Sequence, residues 1–115
     1  MRMNWLVVFA ALSGAIAVGA GAFGAHGAEG KAAEWLRTGA TYQLVHVVAA
    51  LVAVQMNAKV AGWLFVAGAA IFAFTLYAMA FGAPRWLGAI TPIGGTGLIL
   101  GWLWLAWHGL GRSGQ

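Results

Sequence analysis

The placement of charge constrains this chain more than any other feature. Its 115 residues include eight Lys, Arg, Asp or Glu side chains, at Arg2, Glu29, Lys31, Glu34, Arg37, Lys59, Arg85 and Arg112. Between them lie four uncharged stretches: Met3 to Ala28, Thr38 to Ala58, Val60 to Pro84, and Trp86 to Gly111. A helix crosses about 30 Å of hydrocarbon with roughly 20 apolar residues, so each stretch can cross once. Backbone groups in lipid must be satisfied within a segment or around a closed barrel, and the alternating pattern of barrel strands is absent here. Spans are therefore predicted at Asn4 to Gly24, Gly39 to Gln55, Ala61 to Phe81 and Leu87 to His108. A soluble domain has roughly a quarter of its residues charged, against 7% here, which excludes an ordinary water-soluble enzyme. The expectation is an all-α, polytopic integral membrane protein. Residues 1–115 form one domain of four transmembrane helices in a compact bundle.

The tryptophans check the boundaries. Trp5, Trp63 and Trp86 begin spans one, three and four, and Trp102, Trp104 and Trp107 crowd the end of span four, as interface-seeking residues should. The formal net charge of +4 comes from basic residues scattered singly at loop positions, which suits membrane anchoring and not nucleic acid. A rival reading takes Arg2, the first apolar run and Ala20-Gly21-Ala22 as a signal peptide; the length of that segment, equal to the other spans, favours a span. Four spans put both termini on one side. Arg2, Lys59 and Arg112 balance Lys31, Arg37 and Arg85, so the positive-inside rule has little grip. The N-terminal amine beside Arg2 tips the reading towards cytoplasmic termini in a bacterial inner membrane.

Packing is read from small and polar residues, which face protein in a membrane because lipid supplies no hydrophobic drive between helices. On span two, Gly39, Tyr42, Gln43, His46, Ala49, Ala50 and Ala53 share a face, opposite Leu44, Val47, Val48, Leu51 and Val52. Ser13, Ala17, Gly21 and Ala25 form a stripe on span one, and Gly62, Ala69, Ala73 and Ala80 form another on span three. Gly94, Gly97, Gly101 and His108 do so on span four, with Gly95 beside them. Ala28, Ala32, Trp35 and Leu36 oppose Glu29, Lys31, Glu34, Arg37 and Thr38, which predicts a short interfacial helix over residues 28–38.

The three histidines, His26, His46 and His108, are the obvious candidates for chemistry, since intramembrane ionisable groups are costly enough to suggest function. Tyr42, Gln43 and His46 form one helical unit, either an interhelical hydrogen-bond cluster or a polar ligand site or proton-relay element. His26 and His46 are the metal or haem ligands, if any. Thr91-Pro92 admits two arrangements. Pro92 in the first helical turn, with Thr91 capping, leaves the N–H groups of Ile93, Gly94 and Gly95 free for an anion. Pro92 deeper in the helix kinks it. No nucleophile with a base, phosphate loop or dinucleotide fingerprint occurs, no acid lies inside a span, and no enzyme class is supported.

Gly21-Ala-Phe-Gly-Ala-His-Gly27, Thr41-Tyr-Gln-Leu-Val-His46, Gly62-Trp-Leu-Phe65 and Leu87-Gly-Ala-Ile-Thr-Pro-Ile-Gly-Gly95 resemble the small membrane proteins of domain-of-unknown-function family 423, related to the transmembrane protein 256 family. The resemblance implies a four-helix inner-membrane protein and supplies no activity. Ala28 and Val47-Val-Ala-Ala depart from its more leucine-rich pattern without removing a polar motif residue. The motifs coincide with the residues chosen above, so His26, Gln43, His46 and Thr91 are expected to form one cluster at one side of the membrane. Three functions follow in order. The first is a packing or accessory protein, without cofactor, that binds itself or a larger membrane complex. The second is a ligand-binding protein using that cluster for a metal, haem, quinone or small anion. The third is a small-solute transporter.

Overall fold

The computed structural model describes residues 3–112; Arg2, counted above among the basic residues at the termini, lies outside them. The order is α1 (Trp5–His26), α2 (Gly30–Gln55), α3 (Lys59–Ala80), a 3-10 helix (Arg85–Ala89) and α4 (Thr91–Arg112). Among the described residues there are no strands, and all four α-helical segments are long and apolar enough to cross a membrane.

Local chemistry sets the ends. The Asn4 side chain accepts a hydrogen bond from the Val7 amide at 3.2 Å and caps α1, supplying one of the acceptors that the first amides of a helix lack. Helices α2 and α3 close in the same way. Ala58 N–H reaches the Ala53 carbonyl and Ala83 N–H reaches Ala78, with Asn57 and Gly82 between. Both intervening residues have positive φ, 59° and 103°, the left-handed turn that asparagine and glycine adopt most readily. Each turn folds the chain back into an antiparallel neighbour.

Helices α1, α2 and α3 pack together, with α2 between the other two, and α4 lies along the free side of α3. The molecule measures 49 × 32 × 19 Å; the thin dimension is about two helix diameters, so every helix keeps a side facing outward. The core is built mainly of alanine around Phe65 and Leu36, with Ala50, Ala53, Ala61, Ala69 and Ala73 all at 0% exposure. Small side chains let backbones approach, and close approach holds helices together in lipid.

Two expectations change here. Residues 30–38 are not a separate interfacial helix but the opening turns of α2. The reason is a continuous buried stripe, Ala33, Leu36, Ala40, Gln43, Val47 and Ala50, at the i, i+3, i+7 spacing of an unbroken helix. Val47, assigned to the outer face, is 2% exposed, because α2 is flanked on two sides and needs a wider buried arc.

Candidate functional site

Polar side chains within the spans are arranged in layers. At mid-length of α2, Gln43 is 0% exposed. Its amide nitrogen donates to the Ser13 hydroxyl of α1 at 2.7 Å, and its carbonyl accepts from the Tyr77 hydroxyl of α3 at 2.6 Å. One side chain thereby ties three helices. Gly39 makes room for the phenol, since a Cβ there would sit 2.7 Å from the Tyr77 ring. Hydrogen bonds of this kind contribute about 0.6 to 2 kcal/mol each in a membrane.

Almost one turn further along α2, His46 joins α4. Its Nδ1 lies 2.7 Å from the Tyr42 carbonyl and its Nε2 accepts from the Trp102 indole N–H at 3.0 Å. A carbonyl only accepts and an indole N–H only donates, so the imidazole is neutral with its hydrogen on Nδ1. Neither nitrogen keeps a free lone pair for a metal. The ring also packs against Phe65 and Trp102, with centroids 5.8 Å away in both cases, and stacks on Tyr42.

The third layer joins α3 to the start of α4. Thr75 and Thr91 share a hydroxyl–hydroxyl bond of 2.6 Å, while Thr75 donates back to the Ile71 or Phe72 carbonyl and Thr91 lies 3.3 Å from the Leu87 carbonyl. Pro92 is in the first turn of α4, where its missing N–H costs nothing. Thr91 spends its hydroxyl on α3 and the preceding turn rather than on the Gly94 or Gly95 amide, and the Ile93 amide bonds the Ile90 carbonyl. Pro92 thus sits in the first turn, as one of the two expected arrangements has it, and not at a mid-helix kink, but Thr91 forms this Thr–Thr clasp instead of a cap and the Ile93 amide is already engaged.

The single cluster expected of His26, Gln43, His46 and Thr91 is therefore distributed. His26 ends α1 in an exposed position. Gln43 lies thirteen residues into α2, about 20 Å of helix rise from that end. His46 and Tyr42 do share a groove of about 570 Å³ with Phe72, Pro92, Ile99 and Trp102. Among the described residues, no group of three or more His, Asp or Glu could hold a metal ion.

The glycines of α4 take their places against α3. A Cβ on Gly94 would meet the backbone of Phe72 and Gly68, and one on Gly101 the Phe65 ring at 2.7 Å. Gly97 faces Gly68 at 3.5 Å, Gly95 faces the Phe72 ring at 3.8 Å, and Gly21 of α1 faces Ala40 at 3.4 Å.

Sequence reasoning passed over Ser13 as a hydrogen-bonding residue and passed over Thr75 and Tyr77 altogether. It also assigned Trp102 to the interface. A count of every hydroxyl within the spans would have found the first three. Trp102 lies ten residues before the end of α4, about 15 Å of rise, where its indole N–H is engaged by His46.

Residues 20–95 match the sequence profile of a family described as protein of unknown function, DUF423. The chain belongs to that family. A UPF0382 membrane protein of Staphylococcus epidermidis is 42% identical over 112 residues, covering 88% of this chain and 91% of its own. Another from Haemophilus influenzae is 40% identical, with 90% and 92% covered. The Bacillus subtilis UPF0382 membrane protein YwdK is 36% identical, with 88% and 92% covered. No solved structure matches the chain. This DUF423 chain is thus a small membrane protein, similar to bacterial proteins named for that location. Its matched segment contains Gln43, His46, Thr75, Tyr77 and Thr91, whereas Ser13 and Trp102 lie outside it.

Proposed function

We propose that the chain is a non-enzymatic packing or accessory protein of the bacterial inner membrane, which associates with a second copy of itself or with another membrane protein. The observation that carries this reading is the division of labour between its inner and outer surfaces. Inside, every buried side-chain nitrogen and oxygen among the described residues has a hydrogen-bond partner, so the polar groups are engaged in joining helices. Outside, Ala11, Ala15, Gly19 and Ala22 are all exposed on the side of α1 turned away from α2, and a Cβ on Gly19 would meet nothing within 4 Å. Small residues at three- and four-residue intervals on an outward face give another helix a place to approach closely.

Reconstitution of the full chain in lipid nanodiscs, followed by native mass measurement and crosslinking in membranes, tests the reading. A species heavier than the 11.9 kDa monomer, or a crosslinked membrane partner, that disappears in Ala15→Leu/Gly19→Leu is the expected result. A chain that is strictly monomeric, with no crosslinked partner and no response to those changes, would refute it.

A further inference from the structure

At the end of the molecule where α2 turns into α3, a pocket of mixed polar and apolar lining and an apolar groove run into one another. The pocket, about 470 Å³, is bordered by Asn57, Lys59, Val60, Trp104, Trp107 and His108. His108 donates from Nε2 to the Met56 carbonyl at 2.9 Å, which closes one wall. The groove, about 610 Å³, is lined by Val60, Leu64, Leu100, Leu103, Trp104 and Trp107. Val60, Trp104 and Trp107 belong to both, so the two form one channel. It starts at the turn and runs inward between α3 and α4, with seven residues, about 10 Å of rise, separating Trp107 from Leu100.

Among the described residues, the charge at its mouth has no acidic side chain beside it. The chain has two acidic residues, Glu29 and Glu34, and both sit at the opposite end of α2, more than about 30 Å of helix away. No Asp or Glu of this chain can reach Lys59. A cation at the interface, flanked by two tryptophans and opening onto a dry groove, matches an amphiphile: negative at one end and apolar at the other.

We propose that this channel holds one anionic phospholipid from the leaflet on the side of the termini. Its phosphate rests in the pocket by Lys59, and one acyl chain lies along the groove past Leu64, Leu103 and Leu100. The inference goes beyond the packing function and does not depend on it, since a monomer would carry the same channel.

Native mass spectrometry of the full chain in mild detergent, titrated with dioleoylphosphatidylglycerol or dioleoylphosphatidylcholine, tests it. One phosphatidylglycerol is expected to bind about fivefold tighter than phosphatidylcholine, the ratio that corresponds to the roughly 1 kcal/mol contributed by one lysine near an anionic surface. Lys59→Gln should bring the ratio close to one, while Lys59→Arg and Lys31→Gln, the latter at the far end, should preserve it. Leu103→Trp, at an exposed position, should obstruct the groove and weaken both lipids. A wild-type ratio near one, or a ratio that survives Lys59→Gln, overturns the proposal. So does displacement of the lipid by equimolar inorganic phosphate, which would mark a simple anion site.

Discussion

Replacing Gly94 with alanine is a direct test of how α4 is held. The new methyl carbon would lie 2.7 Å from the Gly68 carbonyl oxygen and 2.9 Å from the Phe72 Cα, where ordinary contact begins near 3.4 Å. The nearest obstacle is the Phe72 amide nitrogen, and all three are backbone atoms of α3, which have no rotamer to change, so α3 and α4 must part by about 1 Å at that point. A gap of 0.5 to 1 Å forfeits about a quarter to a half of each dispersion contact across it. Overpacking of this kind costs about 1 to 3 kcal/mol, and the rigid neighbours place Gly94→Ala at about 2 to 3 kcal/mol. Gly95→Ala supplies the control. Its Cβ would meet the Phe72 ring at 3.8 Å, an ordinary contact, and alanine's better helix propensity is worth up to about 1 kcal/mol. Thermal unfolding of both variants in one detergent, followed by circular dichroism, should show Gly94→Ala well below the parent and Gly95→Ala level with it or above. Equal midpoints for the two would refute the close backbone approach of α3 and α4.

Three further outcomes follow from the polar layers. A double-mutant cycle of Gln43→Leu and Tyr77→Phe should give a coupling of about 0.6 to 1.7 kcal/mol; a coupling near zero would deny their hydrogen bond. Nitrogen-15 NMR of the histidines should find His46 as the neutral Nδ1–H tautomer, with the Nε2 signal shifted in Trp102→Phe, and an Nε2–H tautomer would contradict the geometry. His26→Ala, at an exposed helix end, should change stability by less than about 0.5 kcal/mol in the same melts. A loss of more than 1 kcal/mol would show that His26 has a structural partner.

That the chain forms four helices long enough to cross a membrane was legible because lipid punishes charge, although α2 starts nine residues before the predicted span. Eight charged residues in one dimension mark where the chain leaves the hydrocarbon, and that information is local. The inward orientation of Gln43 and His46 was legible for a similar reason, since a polar side chain in a span must find protein. What they bond to was not. Gln43 meets Ser13 and Tyr77 across 30 and 34 residues, and His46 meets Trp102 across 56. Such pairings depend on how helices rotate and shift against each other. The same holds for the opening turns of α2, whose charged outer face resembled a helix lying flat until Leu36 proved to be packed beside Gly24.

Sequence alone thus determined a four-span membrane protein and a short set of polar residues facing inward, because composition and helical period act residue by residue. Only the tertiary structure separated His26 from Gln43 and His46, placed Thr91 on Thr75, and joined the Lys59 pocket to the α3–α4 groove. Those relations are set by helix packing, where backbones approach within van der Waals contact at glycines, and packing is a property of pairs of surfaces that no single stretch of sequence carries.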